Sequence, residues 1–140
     1  VLCESSDLGR DVRLPSDHEE LRRAYGTLKQ RARRRGKHGT GGIQLASRGF
    51  FFEVRGYDED LVWWGAEDGD MVRRARNAGL EVVWIDDRTS MLHQWHPKRH
   101  ESLTDGAQRS AASRAWTRNH TIVRQKRSIV RNLERWGGEP

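Results

Sequence analysis

A single cysteine, Cys3, in 140 residues rules out an internal disulfide and fits a reducing compartment. No apolar run approaches the ~18 residues that a membrane-spanning helix needs, and no signal peptide is visible. A cytoplasmic chain is therefore expected. Apolar residues are scarce too: 34% hydrophobic against 33% charged, with a mean hydropathy of -0.94, leaves a small core, or one completed by residues beyond this chain. Val1, Leu2 and Cys3 read like the end of a buried strand, so the chain is expected to begin within a domain. Cys-x-x-Cys and His-Glu-x-x-His patterns are absent, which argues against a closed structural zinc site. The sequence also lacks internal repeats, low-complexity segments and any recognised nucleic-acid motif.

Charge is plentiful but unevenly spread. The net charge is +6, yet residues 53–87 hold ten acids against four arginines, so that block sits near -6 and the flanks together near +12. An acidic centre between basic flanks suits a site for a cation or a hydroxyl-rich acceptor, with basic surface left for anionic partners.

Along the chain, Ser16 and Glu19 have the spacing of a capping box, which predicts a helix from there to about Arg35 with Leu21, Tyr25, Leu28 and Ala32 on its apolar side. Its end is crowded with Lys29, Arg31, Arg33, Arg34, Arg35 and Lys37, either a solvated helix end or a contact for phosphate or a membrane surface. Glycines 39, 41 and 42 then lead into a short strand over 43–46. Ser47 is placed to cap a short helix carrying Phe50, Phe51 and Phe52, an aromatic triplet read as core. Leu80 to Ile85 reads as a buried strand, and residues 91–97 as a second strand stopped by Pro97. Residues 107–136 read as one long or once-broken amphipathic helix coated with arginine. Such a helix packs on its own domain or lies on an anionic membrane.

The centre of the chain is Trp63, Trp64, Gly65, Ala66, Glu67, Asp68, Gly69 and Asp70. Adjacent carboxylates repel and are rarely buried without partners, so this composition is that of a site and not of a core. The competing reading is a helix start, with Asp68 and Asp70 favoured by the free amides of a first turn and Gly79 ending the helix. His93 and His96 are candidate metal ligands, but three apart on a strand they face opposite ways and converge only if the segment turns.

Together, Gly41, Gly42 and Ile43; Ser47, Arg48 and Phe50; Arg55, Gly56, Tyr57, Asp58 and Glu59; residues 64–70; Arg73; and His93 resemble the C-terminal half of a GT-A fold glycosyltransferase, of the galactosyltransferase C-terminal type and family 2-like. The resemblance covers roughly residues 39–97. It implies an α/β fold, the C-terminal portion of a GT-A (Rossmann-like) domain with a long basic amphipathic C-terminal helix. Residues 1–100 would be the partial catalytic domain and 101–140 a helical extension. It implies transfer of a sugar from a nucleotide-diphosphate donor to a hydroxyl acceptor, inverting and dependent on a divalent metal, usually manganese. By resemblance Asp68 is the general base, Glu67 binds acceptor hydroxyls, Trp64 and Gly65 border the acceptor sugar, Gly41 and Gly42 lie beside the donor, and His93 ligates the metal. Inversion is expected because Asp68 supplies a base in the single-displacement position, where related retaining N-acetylgalactosaminyltransferases tend to carry an amide.

The residue types suit that chemistry, since a positioned carboxylate can take the proton of a poorly acidic hydroxyl as it attacks an anomeric carbon. A departing diphosphate calls for a metal or basic side chains. Two departures from the family pattern stand out. The Asp-x-Asp segment is expected upstream of this chain, which alone should lack turnover, and Ala66 replaces the motif's second glycine. The rival reading is a basic module that binds nucleic acid or anionic membrane without catalysis; specific nucleic-acid binding is not expected, because the acidic centre repels phosphate.

Overall fold

A computed structural model describes residues 1–36, 42–86, 88–97, 103–134 and 136, which form a mixed α/β arrangement of short strands and helices. The chain divides into two compact units, Val1–Gln44 with Val83–Pro97, and Leu45–Val82 with Lys98–Pro140.

In the first unit, β1 (Leu2–Cys3) pairs antiparallel with β4 (Ile43–Gln44). A second sheet has β2 (Ser5–Asp7) in the middle, antiparallel to β3 (Arg33–Arg34) and parallel to β5 (Met91–His93). The register sets Asp7 opposite His93. Helix α1 (His18–Arg31) packs Leu28, with Leu21 and Ala24, against Leu8 and Val12, and Leu14, Ala32 and Leu92 lie around them. Its cap is Asp17, whose carboxylate accepts from the Glu20 amide at 2.9 Å, and not the expected Ser16. Glu19 instead pairs with Arg22.

The helix also stops before Arg35, because Ala32 turns extended and Arg33 and Arg34 enter the sheet. There Arg34 meets the buried Glu4 at 2.5 Å, and Arg35 meets Asp7 at 2.5 Å. The basic run is therefore partly neutralised within the protein. The expected strand over 80–85 is reduced to a single bridge between Trp84 and Leu2, and none of residues 80–85 is buried.

In the second unit, Ser47 caps α2 (Arg48–Glu53) as expected, accepting from the Phe50 amide at 3.2 Å. Only Phe50 of the triplet is buried. Phe52 is 52% exposed and meets Trp136 edge-on, so the triplet is only partly core. Phe50, Val54 and Met71 form the core with Phe51, Ala75, Ala78 and Ile129 against them. Helix α3 (Glu67–Asn77) closes at Gly79, where the Leu80 amide reaches the Ala75 carbonyl and the Gly79 amide reaches the Arg76 carbonyl, a Schellman closure with Gly79 at φ 81°. Helix α4 (Gly106–Gln125) ends eleven residues short of Trp136. Lys126 turns extended there and places its ammonium 2.8 Å from Asp58 and 2.6 Å from Asp60. Among the described residues no helix is long and apolar enough to cross a membrane.

Candidate functional site

The central motif is a strained loop delivering two carboxylates to the start of α3. Trp63 has φ 69°, and the Trp64 amide bonds the Val62 carbonyl at 3.0 Å, which is the uncommon γ-turn with positive φ at its centre. Gly65 follows at φ 101° and Ala66 at φ 79°. For bulky or β-carbon-bearing residues such conformations cost on the order of 1–3 kcal/mol each and persist only when the surroundings enforce them.

The enforcing group is Asn119 on α4, whose side chain is wholly buried. Its amide nitrogen donates to the carbonyls of Val62 at 2.9 Å, Gly65 at 3.1 Å and Trp64 at 3.3 Å, while its oxygen accepts from the Val62 amide at 3.3 Å. One turn earlier, Trp116 presses its indole on the loop: a Cβ at Gly65 would fall 2.7 Å from Trp116 Cδ1. Gly65 is thus required twice, for its φ and for the indole.

The loop leaves Trp63 55% and Trp64 63% exposed and sets Glu67 and Asp68 in the first turn of α3. Asp68 is not the helix cap. Ala66 occupies that position without a side-chain bond, and Asp68 lies in the first turn, as the helix-start reading also expects. Burial pushes the Asp68 carboxyl above its usual range, and the neighbouring Glu67 charge adds to the rise. Tyr57 is raised as well, by burial first and then by the charge of Asp68, with a smaller push from Glu67. Three acidic groups therefore share one neighbourhood.

Asp70 has the opposite fate. Fully buried, it meets Arg73 at 2.8 Å, Arg74 at 2.8 Å and Arg131 at 3.0 Å. Arg131 also pairs with the buried Asp58, while Arg74 donates to the carbonyls of Val54, Gly56 and Ile129. Burial lowers the Arg74 pKa against the pull of Asp70. This network clamps α3 from below, and Asp70 is a structural acid. Sequence reasoning missed Asn119, Trp116 and Arg131; the available signal was an Asn three residues after a Trp on the apolar side of a helix.

In the other unit, β5 ends at His93 and the chain does turn, bringing the two imidazoles together with Nε2 atoms 3.2 Å apart. His93 Nδ1 lies 2.9 Å from Arg35 and 3.1 Å from Asp7, and His96 Nδ1 donates to the Pro97 carbonyl at 3.0 Å. Arg35 holds the Asp7 carboxyl below its usual range, with His93 contributing less. Both imidazoles are thus engaged by protein groups, and among the described residues no three His, Cys, Asp or Glu side chains converge as a metal site. Two imidazoles alone do not complete the shell of a hard divalent ion, which takes mainly oxygen ligands, though one of them can supply a single ligand to it. Gly42 is packed tightly, since a Cβ there would lie 2.7 Å from Ser5 Oγ. Gly41 lies outside the described residues. A groove of about 520 Å³ runs along α4, lined by Arg114, Thr117, Arg118 and Thr121, on the side of the helix turned away from Asn119.

Comparison with known proteins decides the family. A family described as the N-terminal domain of galactosyltransferase matches residues 22–98, more than half of the chain. The chain belongs to this galactosyltransferase family. The galactosyltransferase match takes in both the Glu67 and Asp68 loop and the His93 strand. The sequence resemblance named the C-terminal type where the matched family is described by an N-terminal domain, and both are galactosyltransferases. A relative from Caenorhabditis elegans, "Probable N-acetylgalactosaminyltransferase 9", is 42% identical over 45 residues, which are 32% of this chain and 8% of that protein. The chain thus spans only a small part of that relative's length. No solved structure matches the chain.

Proposed function

We propose that this chain forms the acceptor-binding and catalytic part of an inverting GT-A fold glycosyltransferase, which moves a sugar from a nucleotide-diphosphate donor to a hydroxyl acceptor. The observation that carries the proposal is the strained loop, pinned by Asn119, that presents Asp68 with a raised pKa at the start of α3, four residues after the exposed Trp64. A carboxylate raised in this way is a stronger base, which is what deprotonation of an attacking hydroxyl requires. Glu67 accepts from neighbouring acceptor hydroxyls, and its charge keeps Asp68 basic. Trp64 offers an indole face to the apolar C–H side of a sugar ring. The family's name and the relative's name share the galacto configuration, so the donor is proposed to be a galactose or N-acetylgalactosamine nucleotide.

Gly41 and Gly42 are proposed to border that donor, and His93 to contribute one ligand to a manganese or similar divalent ion. Such an ion, when bound, supplies positive charge to the departing diphosphate. The described residues do not complete its coordination, and no step is derived through it. What the chain's own residues do is orient the acceptor, hold the base rigid at a helix N-terminus and accept its proton.

Asp68→Asn in the full-length protein tests the base. Sugar transfer should fall about 10²–10⁴-fold, the usual range for a lost general base, with far-UV circular dichroism unchanged. Transfer persisting at the parent rate would sink the assignment. Proton NMR of the first product should show inversion; retention of the donor's anomeric configuration would remove Asp68 as base and bring the enzyme closer to retaining N-acetylgalactosaminyl transfer. Chelation of metal should abolish transfer, and full activity in EDTA would exclude the metal role of His93.

A further inference from the structure

Resting on the acceptor reading of the central loop, we infer that Trp116 and His120 on α4 form a second acceptor subsite, one that holds the sugar ring next to the ring whose hydroxyl reacts. The acceptor is then an oligosaccharide and not a single sugar, a peptide hydroxyl or a lipid headgroup.

Three observations lead there. Trp116 is 44% exposed although its indole edge abuts Gly65, so only part of it is used in packing the loop and the remainder faces outward. Its ring is stacked by His120 at a centroid distance of 3.8 Å and 36° between planes, which fixes the indole's orientation from the side of its own helix. His120 Nδ1 lies 2.9 Å from the Trp116 carbonyl. A carbonyl only accepts, so Nδ1 carries the proton and Nε2 of the neutral ring is left as an acceptor. An oriented apolar face beside a hydrogen-bond acceptor is the combination a pyranose requires, with its C–H face on the ring and a hydroxyl on the nitrogen.

Position makes this a neighbouring subsite and not a separate one. Gly65, which Trp116 touches, is three residues from Asp68, a span of at most about 11 Å of extended chain and less here because α3 has begun. Trp116 is therefore within the reach of one or two sugar rings from the base. Asn119, between Trp116 and His120 in sequence, bonds the same loop, so the subsite and the base are tied to one side chain.

The test uses the chain as it is, with methyl β-glycosides of glucose, galactose and N-acetylglucosamine, and with cellotetraose, galactotetraose and chitotetraose, read by saturation-transfer NMR and titration. At least one tetrasaccharide should bind tighter than its monosaccharide. Trp116→Ala should weaken that tetrasaccharide roughly tenfold, about the worth of one aromatic stack, and by clearly more than it weakens the monosaccharide, whose site it touches only through the packing of the loop. Trp116→Phe, which keeps a ring against Gly65, should restore most of the loss, and His120→Ala should lie between. Trp64→Ala should weaken both ligands. Equal binding of tetrasaccharides by the parent and Trp116→Ala, while Trp64→Ala loses them, overturns the subsite and leaves the acceptor reading standing. Tetrasaccharide binding indifferent to Trp64→Ala overturns the acceptor reading itself. If no tetrasaccharide binds the folded chain, the subsite is wrong, and the acceptor reading is then judged by the Asp68→Asn transfer assay.

Discussion

At the scale of single residues, Ala66 and Asp68 show how one loop position answers to backbone and another to charge. Ala66 stands where the family motif has glycine, and with φ 79° it bears a Cβ in the left-handed region. Its replacement of glycine is thus a matter of backbone strain before it is one of pocket width. Ala66→Gly should stabilise the fold by about 1 kcal/mol, the left-handed penalty less the extra freedom glycine gains in the unfolded chain. Urea denaturation measures it, and a midpoint that falls would show that Ala66 is not strained. For Asp68, the raised pKa places the acid limb of the transfer rate above the ordinary carboxylate range. The rate should fall as pH drops through that raised value, and an acid limb at or below 3.8 would contradict the burial of this carboxyl.

At the scale of elements, α3 and α4 hold the site between them by buried polar bonds more than by apolar packing. Asn119→Ala would remove the donor that three loop carbonyls share and the acceptor of one loop amide, costing about 2–4 kcal/mol and releasing Trp63 and Ala66 from their strained conformations. Thermal denaturation and hydrogen exchange of the loop amides would measure it; a change below about 0.5 kcal/mol would mean the loop holds its shape without Asn119. Asp70→Ala should be more damaging, about 3–5 kcal/mol, since it strips a shared carboxylate from three guanidiniums, two of them buried. That loss comes without chemistry, and it separates Asp70 from Asp68, whose amide variant should fold as well as the parent.

For the whole molecule, acid stability sums carboxylates of opposite sign. Arg35 lowers Asp7 and Lys126 lowers Asp60, so both stabilise the fold above 3.8 and lose that contribution as pH falls through their lowered values. Asp68 is raised, so its charge opposes folding above its own pKa, and protonation relieves it as pH falls toward 3.8. Asp68→Asn should therefore be at least as stable as the parent at neutral pH, with the advantage gone below 3.8, as urea midpoints against pH would reveal. An Asp68→Asn variant less stable than the parent near neutrality would mean that the contacts of this carboxylate stabilise the fold by more than its burial costs.

The sequence by itself determined the local matters, because short-range chemistry decides them. Ser47 as a cap, Gly79 as the end of α3 and the clustering of Glu67 and Asp68 beside Trp64 were all legible, since a cap or a turn depends on residues a few positions apart. Only the tertiary structure decided which acid is which. Asp68 and Asp70 are equivalent in a one-dimensional reading of a first helical turn, yet Arg131, sixty-one positions away, claims Asp70 as a buried ion. The helix ends at Arg31 and Gln125 were misread for the same reason: Arg34 has a buried Glu4 to meet and Lys126 has Asp58, and those distant charges outweigh a periodicity that would have carried each helix further. Trp116 and Asn119 sit one turn apart on α4, but the loop they hold lies more than fifty residues earlier, and only folding brings it to them.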